Sequence, residues 1–126
     1  MRLRRPLLAF ALLALATLAQ ARGTDNKWRL EFSGNAESAG RIVLQLVSEE
    51  GGEPVAATVE IRKGRNENGV ARDVRDGLRA AVGKRFKVEV DDGEDVLVKK
   101  GRGERNFPVT IVENSVKGVR INLDPE

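Results

Sequence analysis

The chain has 126 residues, with 22 Lys+Arg against 19 Asp+Glu, and contains no His, Cys or Tyr. That length allows one domain. The missing residue types exclude a Ser–His–Asp or Cys–His catalytic set, a disulfide framework, and a zinc or copper site built on imidazole or thiolate.

The first twenty-one residues have three parts in order. Arg2, Arg4 and Arg5 form a positive end, Leu7 to Ala16 is wholly apolar, and Ala19-Gln20-Ala21 puts small side chains at the two positions a signal peptidase requires. A spanning helix needs about 20 apolar residues, and this core is shorter. The pattern predicts a signal peptide over 1–21, cleaved after Ala21, and no membrane segment afterwards. Without Cys, a lipid-modified start is excluded. Export points to a bacterial protein that is periplasmic or secreted. Removing the three arginines of the leader leaves 19 basic and 19 acidic side chains. A nucleic-acid binder keeps a basic surplus on its folded domain, so nucleic acid is not expected as a partner.

Residues 22–27, Arg-Gly-Thr-Asp-Asn-Lys, read as a flexible leader, and 28–124 as a single domain. Trp28, Leu30 and Phe32 alternate with polar residues and predict a first strand. Ile42, Leu44 and Leu46 predict a second. Gly51-Gly52 supplies a tight turn, and Val55, Ala57, Val59 and Ile61 predict a third. The period then changes: Val70, Ala71, Val74, Leu78, Ala81 and Val82 share one helical stripe. Asn66 or Asn68 can cap this helix and Gly83 can end it. Arg72 and Asp76 are spaced to pair. Gly77 lies beside the apolar stripe, where it would let the helix approach a sheet closely.

Period two returns at Phe86, Val88 and Val90. Asp92-Gly93 marks a hairpin tip, and Val96 and Val98 continue beyond it. Phe107, Val109 and Ile111 predict the next strand; Val119, Ile121 and Leu123 predict the last. The order βββαββββ gives an α+β domain: a largely antiparallel sheet of about seven strands with one helix. One helix of about 16 residues cannot cover seven strands. The sheet must curl, split in two, or leave an apolar face for a partner. Trp28 stands out as the only Trp, with Phe32 on its face of the strand.

Four clusters could carry chemistry. Asp91, Asp92, Glu94 and Asp95 crowd a hairpin tip, and oxygen-rich loops bind Ca²⁺, although the spacing is not that of an EF-hand; a solvated tip is the simpler reading. Lys99, Lys100, Arg102 and Arg105 in a Gly-punctuated loop could contact an anion. The loop Gly64 to Gly69 leads into the helix but lacks the pattern of a phosphate loop, so capping explains it better. Ser115 and Lys117 would share a strand face, the geometry of a Ser–Lys dyad, a spacing that arises constantly by chance. No catalytic residue and no cofactor is assigned.

From Ala57 to Leu123 the chain has the run Ala57-Thr58-Val59-Glu60-Ile61, then Gly64, then Val70-Ala71-Arg72-Asp73-Val74-Arg75-Asp76-Gly77-Leu78. Phe86 to Val90 and Val96 to Val98 follow as a hairpin. This resembles the strand–helix–hairpin modules of phage tail sheath and baseplate proteins. The resemblance covers about half of the chain, includes no catalytic motif, and implies a structural subunit of a tail-like assembly. Those proteins assemble in the cytoplasm, so the leader departs from their pattern. The chain as a whole resembles small exported proteins of proteobacteria. The residues themselves favour an exported, non-enzymatic binding domain whose partner is another protein or an envelope component. The alternatives are a structural subunit of a tail-like or extracellular assembly, and a Ca²⁺-dependent protein or small hydrolase. The oligomeric state is not legible in the sequence.

Overall fold

In a computed structural model, residues 24–47, 53–101 and 107–126 are described. The leader with Ala19 and Ala21, the Gly51-Gly52 turn, and Arg102 and Arg105 lie outside the described residues. Seven strands of six to eight residues follow a two-residue one: β1 Thr24–Asp25, β2 Lys27–Ser33, β3 Gly40–Leu46, β4 Val55–Ile61, β5 Phe86–Asp91, β6 Asp95–Lys100, β7 Phe107–Asn114 and β8 Arg120–Pro125. The helix α1, Glu67–Val82, lies between β4 and β5. Apart from the short β1, this is the order βββαββββ.

The strands form two antiparallel sheets, β1-β7-β3-β4 and β5-β6-β2-β8. Of the three ways to satisfy a large sheet with one helix, splitting in two is the one realised. Each sheet turns its alternate apolar residues onto the other. Trp28, Leu30 and Phe32 from β2, with Val96 and Val98 from β6, meet Ile42, Leu44, Leu46, Val59 and Phe107 from the other sheet in one core cluster. Among the described residues, Val112 is the one large apolar side chain left exposed. No bare apolar sheet face therefore remains there for a partner.

The expected leader is ordered in part. Thr24 and Asp25 pair with Pro108 and Phe107 of β7, and two residues later the same chain runs into β2 of the other sheet. At the far end the Glu126 N–H donates to Lys27 O at 2.9 Å. Main-chain pairing thus includes Thr24, Asp25 and Glu126, which lie outside the expected 28–124.

The helix wedges into one side of the sandwich, packing on β4 of one sheet and on β5, β6 and β2 of the other. Its buried stripe is Val70, Ala71, Val74, Leu78 and Val82. Asn66 is the N-cap, its side chain accepting the Gly69 N–H at 2.7 Å, and the Gly83 N–H closes the other end on Arg79 O. Asp76 pairs with its neighbour Arg75 at 2.9 Å, not with Arg72. Gly77 meets Val59 of β4 so closely that a Cβ there would lie 2.6 Å from Val59 Cγ2. Two effects of an added methyl then compete. Alanine is the better helix former by about 1 kcal/mol, whereas overpacking a filled core costs about 1–3 kcal/mol. The contact lies well inside van der Waals distance, so the steric effect wins.

Chemical denaturation of the Gly77→Ala variant is accordingly expected to show a net loss of up to about 2 kcal/mol. Val59→Ala removes the methyl in its path and destabilises the core by itself, but on that background the further cost of Gly77→Ala should be smaller than in the parent. A stabilised Gly77→Ala would show that the helix does not touch β4 here.

Candidate functional site

The hairpin that joins β5 to β6 is built by Asp92 (φ 53°) and Gly93 (φ 80°), the paired left-handed residues that a tight reversal requires. The turn sets Asp91 opposite Asp95. Both point to the outer face of their sheet, where Arg29 of the adjoining β2 reaches them. Arg29 Nη1 lies 3.0 Å from Asp91 Oδ2 and 2.7 Å from Asp95 Oδ2, and its Nε lies 2.6 Å from Glu126 Oε2. Two of the four acidic residues considered for Ca²⁺ are thus turned to a guanidinium. Among the described residues no three carboxylates gather as a metal group would.

This cluster ties together three strands of one sheet and the residue following β8. Its charges depress acid groups in a defined way. The hydrogen bond from Arg29, helped by Lys27, holds the Glu126 carboxyl below its ordinary value, although partial burial opposes the shift. Farther along the same face, Lys99 Nζ lies 3.0 Å from Glu89 and lowers that carboxyl likewise. The three carboxylates together raise the Arg29 guanidinium above its already high value, Glu126 most of all. Asp95 is the buried member, 5 % exposed, and its Oδ1 has no hydrogen-bond partner among the described residues. It stands at the wall of an open cleft of about 330 Å³ whose other polar walls are Glu31, Ser33, Glu67, Glu94 and Asn122. Two of these groups are engaged: Glu31 accepts from Asn122 Nδ2 at 2.9 Å, and Glu67 accepts from the Gly34 N–H.

The remaining sequence candidates do not converge. Lys99 and Lys100 end β6, and with Asn26 and Lys27 they line a shallow depression of about 260 Å³. Lys99 is neutralised by Glu89 and Lys27 lies 3.5 Å from Glu126, so the depression is no uniform cationic pocket. Ser115 and Lys117 lie in the turn after β7, not on a strand. The Ser115 hydroxyl is occupied by the Arg41 backbone, accepting its N–H at 2.9 Å. The Gly64–Gly69 loop caps the helix, with Arg65 folded over it onto Asp73 at 2.8 Å.

What spacing along the chain does not reveal is the state of the strand edges. The edges of β4 and β5 flank the helix. On the opposite side β7 is paired outward only at Phe107 and Pro108, by β1, and β8 is paired with β2 alone. From Val109 onward β7, and all of β8, offer an outer edge with no strand partner among the described residues. The two differ. β7 carries a bulge: Glu113 faces Val43, Ile111 faces Leu44, and Val112 between them has no partner and is exposed. Bulges of this kind disrupt further pairing. β8 keeps a regular register throughout. No family model, curated protein or solved structure matches the chain.

The depressed Glu126 and Glu89 values define an acid limb. A carboxyl whose folded pKa lies below its unfolded value, near 4.5, adds stability that is complete above that value and is lost as pH falls through the lower folded one. Melting temperature should therefore fall as pH is lowered from about 5 to about 3, and Glu126→Gln should shallow that fall. Identical acid limbs for the variant and the parent would contradict the pairing with Arg29.

Proposed function

We propose that the chain is a small exported, non-enzymatic binding domain that acts in the periplasm or outside the cell. It would engage another protein, or a proteinaceous component of the envelope, through its open strand edges. The observation that carries this reading is the pair of edges on β7 and β8, away from the helix, that have no strand partner among the described residues. An extended segment added there gains main-chain hydrogen bonds at once, and the alternating side chains supply selectivity. Two further features support it. The leader has the three-part layout of an export signal, and the chain lacks the His and Cys on which the Ser–His and Cys–His pairs rest. The apolar sheet face, an option in the sequence, is consumed by the second sheet and gives no support.

Intact-mass measurement of protein purified from its native cells should give a chain beginning at Arg22. Photo-crosslinking residues placed at Thr110 and Asn122 should then give discrete protein adducts in intact cells, and one placed at Arg72 on the exposed helix face should not. A chain retaining Met1 would remove the exported location. Adducts at Arg72 alone would move the binding surface to the helix.

A further inference from the structure

Resting on the reading of the open edges as binding surfaces, the geometry of β8 points to its occupant: we propose that the β8 edge pairs antiparallel with the β8 edge of a second copy of this chain. The argument begins with which backbone groups face outward. The Glu126 N–H points to Lys27 O of β2, and the Phe32 N–H points the other way, to Glu94 O beside β6. Main-chain groups alternate sides along a strand. Residues 120, 122 and 124 therefore bond β2, and Ile121, Leu123 and Pro125 turn their main-chain groups to the open edge. The one residue of β8 with no N–H to give, Pro125, is on that edge, where proline is tolerated.

Two such edges can pair antiparallel only in registers that place outward residues opposite outward residues. The register centred on Asn122 does this. It sets Ile121 against Leu123 of the other copy, and Leu123 against Ile121, so that four N–H···O=C bonds form and none is asked of Pro125. On the solvent face the same register sets Arg120 against Asp124 of the other copy, twice, and Asn122 against Asn122. Those are the closely spaced, non-hydrogen-bonded positions, where cross-strand side chains meet best. Arg120 and Asp124 are exposed and make no ion pair among the described residues, so both charges are free to be matched.

The neighbouring registers are poorer. Sliding by one pair in one direction leaves Arg120 against Asn122 and Asp124 against Gly118. Sliding in the other sets Arg120 against Glu126, which Arg29 and Lys27 already hold, and leaves Asp124 against Asn122. The strand is thus self-complementary in one register, and the two four-stranded sheets β5-β6-β2-β8 become one eight-stranded sheet across a two-fold axis. The bulged edge of β7 takes no part and stays available to another protein.

The test is sedimentation equilibrium of the processed protein with charge-reversal variants on this exposed face. The parent should dimerise reversibly. R120D places like charges opposite one another twice, as does D124R, and each should raise the dimer dissociation constant at least tenfold. The double variant R120D/D124R should restore dimerisation, and so should an equimolar mixture of the two single variants, which is complementary only between unlike chains. Circular dichroism identical to the parent confirms folding. A parent that stays monomeric at millimolar concentration overturns the proposal, as does a dimer indifferent to both reversals. If the monomer still yields edge adducts with other proteins, the binding reading survives and only the self-pairing is lost.

Discussion

Trp28 lies at the meeting of the two sheets. Its ring is buried, and its indole N–H donates to the main-chain oxygen of Phe107, 2.8 Å away on the opposite sheet. A buried indole without an acceptor would cost more than its hydrogen bond returns, so the position of β7 relative to β2 is fixed by one polar contact inside an apolar core. Phe107 then packs on Phe86 of the other sheet, ring centres 4.6 Å apart. Phe107 is also the residue on which β1 pairs. The closure of the sandwich at this end, the ordering of residues just before β2 and the placement of β7 all depend on that contact.

From this closure follows the asymmetry that matters for function. Among the described residues there is one helix, which fills one flank of the sandwich, with Gly77 permitting its close approach. The other flank has no helix among the described residues. It is managed instead by strand chemistry: a bulge on β7, and on β8 an outward Pro125 with alternating charges. These devices discourage indiscriminate edge pairing. On β8 they also leave a single register in which pairing is rewarded. Along β5, β6 and β2 the outer face of this sheet is held by Arg29 and its three carboxylates, whereas on β8 Arg120 and Asp124 remain unmatched among the described residues.

The alternating runs at Trp28–Phe32, Ile42–Leu46 and Val55–Ile61 and the stripe from Val70 to Val82, except for Ala81, which is exposed, were legible, because each element announces its own period. Asn66 and Gly83 were legible as caps for the same local reason. The division into two sheets was one of three options, since periodicity says which face is buried but not against what. Strand order was beyond reach: β7 pairs with β3 and β2 lies between β6 and β8, contacts between residues far apart in sequence. The Arg29 cluster was hidden likewise, its partners lying 62, 66 and 97 positions away. The acidic tip drew attention for its density of carboxylates, but the cation that Asp91 and Asp95 hold is a side chain of the protein itself. The bulge at Val112 left no trace, because an unpaired residue inside an alternating run looks like any other.

The cross-sheet bond of Trp28 is open to direct measurement by native-state hydrogen exchange of its indole proton. If the contact holds the two sheets together, that proton should exchange only through global unfolding, with an opening free energy equal to the stability found by denaturant titration. Exchange at a much lower opening free energy, while the β2 and β3 amides remain protected, would show that the sheets stay packed without the contact and would contradict the account.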